Sequence, residues 1–226
     1  MAFDWWDPVR DYCERTGPEL WAEPLNAVSN AAFGVAAFLL LRRSRTPDPV
    51  ADGFAWLIGL IGLGSALFHT LAVEWSALAD VIPIALFIHA YFFLALRRFL
   101  GLSALAALIG TLAFAAAAAF FEPVLSELAG RPLGPLTNGS VAYAPAALAL
   151  FGVGLASLRF GRREGAALIG IGVLFLASLT ARTLDAALCP FVPFGTHWLW
   201  HLLNACVLSG LVRAARRAGP PDASVA

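Results

Sequence analysis

Apolar runs long enough to cross a bilayer recur along the whole of this chain, with only short connections between them. A span needs about 20 consecutive apolar residues, and seven such runs can be read: about 24–42, 53–72, 79–99, 101–121, 140–159, 164–183 and 196–215. Backbone polar groups in hydrocarbon must be satisfied within the segment, so runs of this length fold as helices. With 60% of 226 residues hydrophobic and 13% charged, the chain is too apolar for an ordinary soluble domain. The expected fold is therefore all-α, a membrane-embedded bundle of seven helices over 24–217. An acidic segment, 1–23, precedes it and a short disordered cytoplasmic tail, 218–226, follows it. The opening "MAFDWWDPVRDYCER" has no cationic region ahead of an apolar core and so is not a signal peptide.

Orientation follows from charge. Every basic residue is Arg. Arg42, Arg43 and Arg45 follow the first run, and Arg97 and Arg98 follow the third. Arg159, Arg162 and Arg163 follow the fifth, and Arg213, Arg216 and Arg217 the seventh. With seven spans these clusters share one side, which the positive-inside rule makes cytoplasmic. The N-terminus is then outside and the C-terminus inside, with Asp4, Asp7, Asp11, Glu14, Glu19, Glu23, Glu74, Asp80, Glu122, Glu127 and Asp185 on the outer face. Six or eight spans would scatter the pattern. Net charge is zero, and nothing points to a nucleic-acid partner or an obligate protein partner.

Few ionisable groups lie within the runs, and such groups are expensive in lipid and mark functional positions. Ser65 and His69 in "GLGSALFHTLAVEW" are four apart and share a helix face. Asp80 opens the third run, and "HWLWHLLNA" places His197 and His201 on one face at the start of the seventh. The arginine topology brings all five to similar depth near the outer boundary. Three histidines on two helices match a catalytic zinc site, which takes three protein ligands and a water. Zinc lowers the pKa of that water to about 7. Asp80 would take its proton or orient a ligand, and Ser65 would donate to the oxyanion formed at a carbonyl. His89, isolated in its span, reads as a packing residue.

In "DYCERTGPELWAEPLNAVSN", Asp11, Glu14, Glu19, Glu23 and Asn26 supply the oxygen-rich chemistry that suits calcium. The same residues equally describe a solvated acidic head before a helix that starts near Pro24. Asn26 and Asn30 face inward one turn apart and need partners. Cys13 and Cys189 both fall in outer segments, where a bridge is permitted, and Cys206 reads as a buried apolar residue.

These motifs resemble the alkaline ceramidases, in the seven-span hydrolase superfamily that also holds the adiponectin and progestin receptors. The likeness runs from about Asp11 to about Cys206, on "DYCE", "EPLNAVSN", "GLGSALFHTLAVEWSALADVIP" and "HWLWHLLNA". It implies zinc on His69, His197 and His201, with Asp80 assisting the water and Ser65 the oxyanion. It implies calcium held by Asp11, the backbone of Tyr12, Glu14 and Glu23; Thr16 stands where the family has Asn. It also implies a Cys13–Cys189 disulfide. The expected activity is zinc-dependent hydrolysis of the N-acyl amide of a ceramide or ceramide-like lipid, in a bacterial cell membrane with the site facing outward. The alternative is a seven-span receptor or transducer with a structural, four-ligand zinc site. Bis-histidine haem is a third, weaker reading, because two histidines one turn apart on one helix cannot occupy opposite axial positions of one haem.

Overall fold

A computed structural model describes residues 4–42 and 47–220. Arg43 and Arg45, and residues 221–226 of the expected tail, lie outside the described residues. The described residues form helices joined by tight turns, with no strand and one isolated bridge between Pro8 and Val73. In chain order the helices are α1 Pro24–Ser29, α2 Ala31–Arg42, α3 Pro49–Leu71, α4 Glu74–Leu100, α5 Ala104–Ala129, α6 Leu133–Leu136, α7 Ala144–Arg159, α8 Glu164–Leu188 and α9 His197–Ala218. A 3₁₀ turn, Ser140–Tyr143, precedes α7.

Among the described residues, six segments are long and apolar enough to cross a membrane: Pro24–Arg42, α3, α4, α5, Ser140–Arg159 and α8. The chain is thus a helical, multi-pass membrane protein by length and composition. Of the seven expected spans, α9 is as long as the others at 22 residues but is more polar, and the reason is its position. It packs against α1, α2, α3, α4 and α8, and from His197 to Ala215 most of its residues are buried. Its histidines, Asn204 and Arg216 therefore meet protein, where a helix exposed to lipid would need apolar side chains. α5 is the opposite case, since Ala107 is its one buried residue.

Local signals set the helix ends. The Asp48 side chain accepts from the Ala51 N–H and Pro49 occupies the first turn, so α3 starts four residues before the apolar run does. Ser103 caps α5 through the Ala106 N–H. At one end of the bundle, arginines answer the orphan carbonyls that terminate neighbouring helices. Arg98 donates to the Ala215 carbonyl, Arg216 to that of Leu40 and Arg162 to that of Arg98. Arg98 also pairs with Asp48 at 2.6 Å and Arg216 with Asp52 at 2.5 Å.

The N-terminal segment closes the other end. Val9 N–H donates to the Ala72 carbonyl in the α3–α4 turn, and Glu74 N–H to that of Asp7. The structure joins Cys13 to Cys189, clipping the segment to the α8–α9 connection.

Candidate metal centre

Two close approaches of backbone set the site. Pro83 lies inside α4 and has no N–H to give the Ala79 carbonyl one turn back. At this point α3 comes so near that a Cβ on Gly64 would lie 2.0 Å from the Ala79 oxygen. Only glycine fits, and the approach brings Ser65 and Asp80, the next residue on each helix, against one another. The second approach is at the start of α9. Buried Asp185 accepts from the backbone N–H groups of Thr196 at 2.7 Å, His197 at 2.9 Å and Cys13 at 2.9 Å. A carboxylate at a helix N-terminus is favoured by the orphan donors and the dipole there. Gly195 has φ +61°, and a Cβ on it would sit 2.1 Å from Asp185 Oδ1. One carboxylate thus fixes where His197 begins and where Cys13 ends up.

His69, His197 and His201 converge, with one ligand atom from each within 4.8 Å of the others. All three are buried. Hydrogen bonds select the tautomers of two of them. Glu23 Oε2 lies 2.6 Å from His69 Nδ1, so that nitrogen carries the proton and Nε2, which is buried without a partner, keeps its lone pair. Ser29 Oγ spends its own hydrogen on the Asn26 carbonyl at 2.8 Å. It must therefore accept from His201 Nδ1 at 2.7 Å, which again leaves Nε2 as the lone pair. His197 Nδ1 is also buried without a partner. The rings of His69 and His201, each with one nitrogen anchored and the other bare, together with the unanchored ring of His197 could form the donor set of a metal site. The residues fit a zinc-type ion.

Ser65 Oγ is 3.5 Å from His201 Nε2, and Asp80 is buried with Oδ1 unpartnered. The five residues singled out for matching depth do come together. Tyr12 covers the cluster, its ring stacked on His197 at 3.7 Å between centroids. Its hydroxyl accepts from Arg182 at 2.9 Å, and burial pushes the phenol well above its usual range.

The acidic segment is arranged differently from a calcium site. Asp11 is exposed, and both Glu14 oxygens accept from N–H groups at the start of α1, Leu25 and Asn26, at 2.8 Å. Glu23 is buried and holds Arg15, Asn26 and His69. Arg15 also donates to the carbonyls of Gly17 at 3.3 Å and His69 at 3.0 Å. The three acids therefore do not converge, and the one metal-type cluster among the described residues is the histidine triad. The physical reason is Arg15, a built-in cation already seated on Glu23. Burial alone would raise the Glu23 carboxyl, but hydrogen bonds from His69, Arg15 and Asn26 outweigh it and hold it below its ordinary range. Asn26 and Asn30 are buried as expected, and Asn30 donates to the Asn26 carbonyl at 2.9 Å. His89 lies apart, its Nδ1 2.7 Å from the Ala85 carbonyl.

One helical turn further into the bundle, past Ser65 to Ile61 and past His201 to Asn204, lies an apolar chamber of about 80 Å³. Phe87, Tyr91, Phe175 and Leu208 are among its walls. A second cavity, about 340 Å³, lies between α4, α5 and α7. It shares Ile84, Ile88, Phe114, Tyr143 and Ala146 with the first, and Val81 and Ala85 are exposed at its rim. No family model matches this chain, and no curated protein matches it.

Proposed function

We propose that the protein is a seven-span, zinc-dependent amidohydrolase that cleaves the N-acyl amide of a ceramide-like lipid to a fatty acid and an amine. The observation that carries this reading is the buried triad of His69, His197 and His201, two of its rings tautomer-locked, beside buried Ser65 and Asp80, above an apolar chamber. On this reading α9 is the seventh span. The arginine-rich end faces the cytoplasm, and the site faces outward across a bacterial cell membrane.

His69, His197 and His201 would hold the ion, which when bound supplies Lewis acidity and a water acidified to about pKa 7. Everything else falls to the chain. Glu23 and Ser29 keep the two rings in register. The lipid enters between helices, and its acyl chain lies along the apolar chamber with the amide carbon facing the water. Ser65 Oγ donates to the carbonyl oxygen as charge builds there. Asp80 accepts the proton of the attacking water and returns it to the departing amine nitrogen. Tyr12 and the disulfide-clipped segment keep bulk water from the outer side.

Fatty-acid release from a panel of N-acyl lipids, by the purified protein and by D80N and H201A, tests the reading. Release by the wild type and loss of at least about 100-fold in each variant is expected, the scale of a removed general base. Equal release by wild type and H201A, or no turnover of any acyl amide, would leave the receptor alternative standing.

A further inference from the structure

Among the described residues, three of the buried or half-buried arginines have a carboxylate. Arg15 pairs with Glu23, Arg98 with Asp48 and Arg216 with Asp52. Arg182, on α8, has none within ion-pair distance among the described residues. Asp80 acts on it through space without making an ion pair. Its guanidinium rests on aromatic faces, 5.5 Å from the Tyr12 ring, 5.7 Å from Tyr143 and 5.5 Å from Trp200. One N–H goes to the Tyr12 hydroxyl at 2.9 Å, and Nε is buried with no partner. Ring faces offset part of the cost of taking a cation from water, but an uncompensated buried charge remains expensive.

Arg182 is also on the wall of the 340 Å³ cavity whose remaining lining is almost wholly apolar. It is one side chain from the metal centre, since the phenol it holds is the ring stacked on His197. A planar donor fork with an unpartnered N–H, on the wall of an apolar cavity, suits an oxyanion.

We propose that Arg182 recognises an anionic group on the amine half of the substrate, so that the lipid cleaved is an acyl amide bearing a carboxylate or phosphate rather than a neutral ceramide. The carboxylate would belong to an N-acyl amino acid and the phosphate to an N-acylated phospho-amine. The anion lies against Arg182 while the acyl chain runs into the apolar chamber. The inference rests on the amidohydrolase reading for the reaction, but recognition of the anion is separable from turnover.

Binding of ketomethylene analogues, in which CH₂ replaces the amide nitrogen and hydrolysis is blocked, tests it directly. Three dodecanoyl analogues ending in a carboxylate, a phosphate or an alcohol would be titrated calorimetrically into the metal-loaded protein in a neutral detergent. An anion should bind about tenfold or more tighter than the alcohol, as expected for charge-assisted hydrogen bonds. The tighter of the two anions names the head group. In R182Q the preference should fall to within about twofold with the alcohol unchanged, and R182K, which keeps the charge but loses the fork and its stacking, should keep only part of it. Should R182Q fail to fold, the same titrations on metal-free wild type decide, because an anion preference there cannot come from the metal. Equal binding of alcohol and anions, or no binding of any analogue, overturns the proposal. Anion preference without hydrolysis of the parent amides would sink the amidase reading and leave the Arg182 site. Hydrolysis without anion preference would do the reverse.

Discussion

Glu23 Oε2 lies 2.6 Å from His69 Nδ1, across 46 residues of chain, and Arg15 holds the same carboxylate from its other oxygen. The N-terminal segment is thereby part of the candidate metal centre, because it decides which nitrogen of His69 carries the proton.

Glu23→Gln keeps the shape and one acceptor but removes the charge that makes His69 a stronger donor to a metal. The expected result is a loss of about 10–100-fold in zinc affinity, the usual scale for a residue that orients a ligand. A competitive chelator titration measures it. Unchanged affinity would mean that Glu23 serves only to seat Arg15.

Gly64→Ala places a methyl group 2.0 Å from the Ala79 carbonyl oxygen, and a backbone atom cannot step aside alone. The α3–α4 crossing must open, costing about 1–3 kcal/mol as overpacking does, and Ser65 and Asp80 separate. Melting temperature and turnover should fall together. Gly34, on α2, has nothing within 4 Å of a Cβ, so Gly34→Ala should leave both intact.

The Asp48–Arg98 pair at the opposite end makes stability depend on pH. Hydrogen bonds from the Arg98 guanidinium hold the Asp48 carboxyl below its ordinary value, against a smaller opposing effect of burial. A carboxyl lowered by folding adds stability above its unfolded pKa, about 3.9, and that stability is lost as pH falls through the lower folded value. Melting curves in detergent should therefore show wild type above Asp48→Asn near neutrality, with the gap closing below about pH 4. Parallel curves over that range would contradict the pairing.

How far the sequence alone reaches can be judged from particular residues. His69, His197, His201, Ser65 and Asp80 were legible because spacing gives a face, and the arginine distribution gives a depth. The Gly64–Ala79 approach that joins Ser65 to Asp80 has a sequence sign in Pro83, which frees the Ala79 carbonyl. The partners of the rings were not legible. Ser29 and Glu23 reach their histidines across 172 and 46 residues, and no local pattern marks such pairs. Asp185 read as one more outer acid, although it lies buried under the start of α9. The acidic run before Pro24 suggested calcium because composition counts oxygens without saying where they point. Arg15, sitting within that run, redirects Glu23.

On the amidohydrolase reading, the three histidines form one metal-holding, hydrolytic centre. Its most direct test is metal content by mass spectrometry on detergent-purified wild type and His69→Ala, assayed in parallel for fatty-acid release. About one zinc per chain in the wild type, as a three-ligand site takes, with loss of zinc and turnover together in the variant, is the predicted result. A wild type without stoichiometric metal, or a His69→Ala protein that keeps its metal and its turnover, would contradict it.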